Sequence, residues 1–131
     1  FTVASKTGTH AATQAIGIAC GDETTVTAVA TGVTEFQMPF GFELTDVRAT
    51  VTTAPTTDAG FTVDINEGGV SILSTKITID ATEKTSATAA TPPVISDSTL
   101  ADSGVITIDV DAASTGATEA GLKIWLIGYQ T

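Results

Sequence analysis

The sequence predicts an all-β chain, an antiparallel sandwich or barrel of about eight short strands. Three observations point there. β-branched and small residues dominate, with 27 Thr among 131 residues and repeated Gly, whereas Leu, Lys, Glu and Gln are scarce. Runs of apolar residues alternating with polar ones recur along the chain, separated by turn signals. No amphipathic helical period lies between them, so parallel βαβ units are excluded.

The elements follow in order. Residues 1–22, "FTVASKTGTHAATQAIGIACGD", hold no sustained period and read as an N-terminal arm with a first strand at Ile16, Ile18 and Cys20. The arm either docks on a neighbour or frays as a terminus. Residues 23–131 form the sandwich domain. "TTVTAV" alternates at Val26, Ala28 and Ala30; "VTEFQMPF" sets Phe36 and Met38 on one face, with Pro39 ending or edging the strand. In "ELTDVRATVTT", Val47, Ala49 and Val51 share one side, and Asp46, Arg48 and Thr50 the other. "APTTDAG" is a loop, "FTVDIN" buries Phe61, Val63 and Ile65, and "VSIL" and "KITID" follow as strands. Pro92 and Pro93 bar regular pairing in "TSATAATPPVI". "SDSTLADSG" is a loop, "VITIDVD" buries Ile106, Ile108 and Val110, and "DAASTGATEAG" is a loop tip of small residues.

The closing run "LKIWLIGY" is apolar on both faces: Leu122, Ile124 and Leu126 point one way, Trp125 and Ile127 the other. Such a strand is either central under a covering layer or exposed at a subunit contact.

Composition narrows the function. Five basic residues (Lys6, Arg48, Lys76, Lys84, Lys123) face fifteen acidic ones, a net charge of −10. Nucleic-acid binding requires the opposite sign, and an anionic membrane surface is disfavoured for the same reason. No apolar run is long enough for a transmembrane helix. Nothing at the start reads as a secretory signal. The first residue is Phe1, so the chain is expected to be processed or part of something longer. Cys20 is the sole cysteine, which rules out an intrachain disulfide and a cysteine zinc cluster.

The stretch "DINEGGVSIL" invites a metal or phosphate reading. Counted from Asp64, the position where a helix-flanked calcium loop places its bidentate Glu holds Thr75, and both flanks alternate like strands. A phosphate cradle would open onto a helix, and none follows. The remaining reading is a hairpin in which Asn66, Glu67, Gly68 and Gly69 supply positive φ. Asp64 with Asn66, and Asp109 with Asp111, could converge on a cation if their strands were neighbours, but the favoured expectation is solvated outward positions. His10, the sole histidine, sits in the arm, and no G-x-S-x-G occurs, so no catalytic base or nucleophile is nominated. Trp125 and Tyr129 share a strand face, as interface or core anchors rather than a sugar platform.

The stretches "ACGDETT", "EFQMPFGFELTDVRATVTTAPT", "VDINEGGVSILSTKITIDATEKTS", "ATPPVISDSTLADSGVITIDVD" and "GLKIWLIG", spanning residues 19–128, resemble a family of small virion-surface modules common in bacteriophage genomes. The family comprises capsid decoration (cement) proteins and fibre head domains. The resemblance implies a single jelly-roll-like antiparallel β-sandwich, a homotrimer, and a location on the capsid exterior against the major capsid protein. It equally covers fibre tips that bind a host-surface glycan or receptor. It implies no enzymatic activity and supplies no catalytic, cofactor-binding or metal-ligating residue. The absence of heptads or a repetitive shaft favours the decoration protein, with the first twenty residues as the arm that reaches a neighbour or the shell.

Overall fold

The computed structural model describes residues 12–57 and 60–131. The greater part of the expected arm, His10 included, lies outside the described residues. Among the described residues eleven strands form, all paired antiparallel. They are β1 (Gln14–Ala19), β2 (Ala30–Gln37), β3 (Phe42–Thr50), β4 (Phe61–Glu67), β5 (Val70–Ser71) and β6 (Leu73–Thr75). After them come β7 (Ile77–Ile79), β8 (Val94–Ile95), β9 (Thr99–Leu100), β10 (Val105–Ala112) and β11 (Lys123–Gln130). A single 3-10 turn, Ser86–Thr88, interrupts the series among the described residues.

Two sheets pack as a sandwich. The first runs β1-β11-β3-β9; the second runs β2-β10-β4-β5, with β7 continuing along β4 beyond β5; β6 and β8 pair separately. The core fills the space between them. Phe61, Val63 and Ile65 of β4 and Ile106, Ile108 and Val110 of β10 point inward, as their alternation predicts, and meet Ile124 and Leu126 of β11. Each such side chain contributes about 1.5–3 kcal/mol by leaving water.

Where a strand departs from strict alternation, a bulge accounts for it. On β3, Phe42 and Leu44 face the core, but so do Val47 and Ala49, on the opposite parity. Ile127 pairs with Asp46 and Gly128 with Leu44, so Thr45 is an extra residue that reverses the phase. On β2, the register with β10 jumps between Thr34 and Ala30, and Gly32 within that step has φ +64°. Asp109 holds this bulge, its Oδ1 accepting the Gly32 N–H at 2.7 Å.

Three expectations need correction. "TTVTAV" is not a strand: only Val26 makes a bridge, to Ala120, and Val26 and Val29 are exposed. Its alternation is of small apolar residues in a Thr-rich run, with too little surface to bury. "SDSTLADSG" is not all loop, because Thr99–Leu100 pairs with Phe42 and Glu43 and buries Leu100. The hairpin after β4 forms, but only Gly68 (φ +59°) and Gly69 (φ +82°) carry positive φ. Asn66 and Glu67 remain in the strand, with Glu67 paired to Val70 across a two-residue turn.

Candidate functional site

The outer face of the first sheet carries an apolar strip on β11. β11 lies between β1 and β3, so its inward residues Leu122, Ile124 and Leu126 are buried while Trp125 and Ile127 emerge half-buried on the other side. The strand is therefore central in its sheet, with its second face half-buried. Trp125 pairs across the sheet with Gly17 and Arg48. Its ring occupies the space above Gly17, where an added Cβ would come within 2.6 Å of it. Its Nε1 donates to Thr50 Oγ1 at 3.1 Å, which fixes the ring and satisfies its polar edge. A hollow of about 390 Å³ lined by Gly17, Ile18, Ala19, Lys123 and Trp125 lies on one side of the ring. A second, of about 320 Å³, is lined by Ala15, Arg48, Thr50, Thr85, Trp125 and Ile127. The cations at its margin are paired, Arg48 with Asp46 at 3.3 Å and Lys123 with Glu23 at 2.6 Å. An aromatic anchor between two hollows, with a charged rim, is the build of a protein contact. Tyr129 shares the face.

The acidic groups of the second sheet do come together, since β4 and β10 are neighbours and Asp64 pairs with Asp109. The expectation of solvated positions fails for β4: Asp64 and Asn66 are buried. The segment returning along β4 brings Ser71 and Lys76 onto them. Asp64 Oδ1 accepts from Ser71 Oγ at 2.6 Å and from the Ile65 N–H at 2.9 Å. Asn66 Nδ2 donates to Asp109 Oδ2 at 2.9 Å. The Lys76 ammonium bridges Asp111 and, at 3.5 Å, Asp64. The Asp111 carboxylate, aided by Asp64, holds that ammonium above the usual lysine range. A lysine thus occupies the place where a cation would balance these carboxylates, and among the described residues no cluster of three or more His, Cys, Asp or Glu is arranged for a metal.

This cluster yields a test. Lys76→Met is expected to lower stability by on the order of 1 kcal/mol at low salt and by less at high salt. Urea midpoints at two ionic strengths check it, and an equal loss at both would count against the ion-pair account. Millimolar calcium is expected to leave the native melting temperature unmoved; a rise would reinstate the metal.

Cys20 is buried and free, with burial pushing its thiol up. The loops "APTTDAG" and "DAASTGATEAG" meet at one end of the sandwich. Thr57 Oγ1 donates to the Thr115 carbonyl at 3.1 Å and Thr118 Oγ1 to the Ala54 carbonyl at 3.0 Å. The second loop is not simply an exposed tip. Glu119 is fully buried in it, accepting from the Ser114 N–H (2.8 Å), the Ser114 hydroxyl (2.6 Å) and the Thr118 N–H (3.1 Å). Sequence reasoning missed Glu119; the one available signal was a lone carboxylate in a run of small residues.

Comparison with family models, with curated proteins and with solved structures finds no match to this chain.

Proposed function

We propose that this protein is a bacteriophage virion structural module, a capsid decoration protein that binds the head exterior as a homotrimer and stabilises it. The observation that carries the reading is the strand order. Counting β5–β7 as one interrupted strand and β8–β9 as another gives eight positions, ordered 1-8-3-6 in one sheet and 2-7-4-5 in the other. We read this as a jelly roll, an architecture of viral capsid domains, lectins and cupins.

The mechanism is mechanical. Trp125 and Ile127 supply the apolar centre of a trimer contact, removing the exposed face of β11 from water. Many trimers, each touching several major capsid subunits, add individually weak contacts into firm attachment that opposes pressure from packaged DNA.

A second reading is a fibre-tip module that binds a host-surface glycan or receptor. The hydrogen bonds that join residues 54–57 to residues 115–118 favour it, because they hold two segments of small residues as one surface.

Antibody raised against the purified chain, applied to particles from a culture encoding it, separates the two. Labelled heads are expected. Label at fibre ends would move the assignment to the second reading, and intact particles free of label would remove both. Light scattering of the isolated chain is expected to give a trimer mass, reduced to a monomer by Trp125→Asp.

A further inference from the structure

The edges of a β-sandwich expose unpaired N–H and C=O groups that template further strand pairing, and folded chains guard them with charge, bulges, brevity or cover. Three of the four edges here are guarded in these ways. β9 and β5 are two residues long. β7, three residues long, packs against the 3-10 turn. β2 carries Glu35 and the Gly32 bulge.

Among the described residues, β1 has none of these devices. All six of its residues, "QAIGIA", pair with β11 without a register shift, and among the described residues β1 has no second partner strand. It contains no charge and no proline. It also lies in the longest run of the chain without Asp, Glu, Lys or Arg, Thr7 to Gly21. Its outward residues Ala15, Gly17 and Ala19 are small and exposed, and the bulky group that reaches over them is the Trp125 ring, lying against Gly17. Its inward residues Ile16 and Ile18 pack on the core but stay only half-buried. Among the described residues, the sheet is therefore unpaired along this one side, and its edge strand carries no charge.

We propose that β1 is a self-pairing edge: β1 of a second copy adds to it antiparallel about a two-fold axis, joining two four-stranded sheets into one continuous sheet. A second copy is the occupant because its own β1 offers the same six uncharged residues. Copies carrying −10 repel each other, and they approach at least cost where both surfaces lack charge. Backbone complementarity selects a strand, since only another edge satisfies the open N–H and C=O groups. Pairing also continues the apolar outer strip of Ala15, Gly17 and Trp125 across the new seam, and it covers Ile16 and Ile18. The contact is two-fold, so it is separate from the trimer contact and would link neighbouring assemblies. It goes beyond the virion reading and does not depend on it.

Amide hydrogen exchange of the full chain, read by mass spectrometry from micromolar to hundreds of micromolar protein, tests this. Amides of residues 14–19 are expected to exchange roughly tenfold more slowly at the high concentration, while those of β10 stay protected throughout. Ala15→Lys with Ala19→Lys is expected to abolish the concentration dependence and leave β10 protected. β1 amides that exchange fast at every concentration, or slowly at every concentration, overturn the proposal; the slow case would mean that the edge is covered within its own chain. Concentration dependence that persists in the double variant overturns it too. Should the variant lose β10 protection, the behaviour of the native chain decides alone. Particles free of antibody label would remove the virion reading and leave this result standing.

Discussion

Gly128→Ala is expected to be among the most damaging single substitutions in this protein, costing about 4 kcal/mol or more. Gly128 lies opposite Leu44, beside the Thr45 bulge of β3. A Cβ built there would overlap the Glu43 carbonyl oxygen and come within 3.0 Å of Leu44 Cα. Both obstacles are backbone, so no side-chain rotation relieves them. The β3–β11 ladder would have to part at the centre of the first sheet. Gly68→Ala makes the control: an added Cβ there meets open space, and the cost is the left-handed backbone alone, about 1 kcal/mol. Urea midpoints with unchanged slope measure both. A Gly128→Ala protein as stable as Gly68→Ala would refute the close-approach account.

Glu119→Ala is expected to cost about 3 kcal/mol, because it strips the acceptor from three donors at once, two of them backbone N–H groups. Glu119→Gln, nearly the same shape, is expected to retain part of the stability but not all, since its NH₂ would face groups that themselves donate. The neighbouring backbone should loosen in both. The Glu119 carbonyl accepts the Thr27 N–H at 2.8 Å and the Ala120 carbonyl accepts the Thr52 N–H at 2.9 Å. Hydrogen exchange at Thr27 and Thr52 therefore reports the lesion directly, and unchanged exchange there would argue against a clasp.

The same residue gives the chain an acid limit. Burial pushes the Glu119 carboxyl up, but hydrogen bonds from the Ser114 hydroxyl and the Ser114 and Thr118 backbone outweigh it and hold the group below its ordinary value. Asp22 is depressed as well. The Thr25 backbone N–H and hydroxyl, then the Thr24 N–H, bring it from 3.8 to about 2. Groups depressed on folding contribute stability above their unfolded pKa and lose it as pH falls through the folded value. Stability should therefore be flat from neutral pH to the ordinary carboxylate range and fall below it. In Glu119→Gln that fall should be shallower than in the native chain.

Much of the fold was legible because β4, β10 and β11 are regular. Strict alternation put Phe61, Val63, Ile65, Ile106, Ile108 and Val110 inside, and all are buried; it grouped Ile124 and Leu126 on one face of β11, which is the buried one. Bulges were not legible: Thr45 adds one residue and silently reverses the phase of β3, so Phe42 and Leu44 went unassigned to the core. Asp64 and Asn66 looked solvated because alternation reports which face a residue takes, not what covers that face. Their cover is Ser71 and Lys76, brought back by a turn whose consequence depends on three dimensions. The open face of β11 was visible, since Trp125 and Ile127 alternate with Leu122, Ile124 and Leu126 in one short run. Glu119 left almost no trace, because its donors are two backbone groups and a serine that no pattern marks.

The placement of β11 governs when the protein can fold. Among the described residues it is the last strand in chain order, yet it joins β1, the first of them, to β3 in the middle of its sheet. β10, made just before it, holds β2 to β4 in the same way. Until residue 130 has been synthesised, the first sheet cannot close, and Phe42, Leu44, Phe61 and Ile65 have only a partial core to enter. Such late, long-range closure is slow and leaves apolar surface waiting. Completion of the core therefore waits until residue 130 has been made, and yield in a cell will depend on how well the chain is kept from aggregating before then.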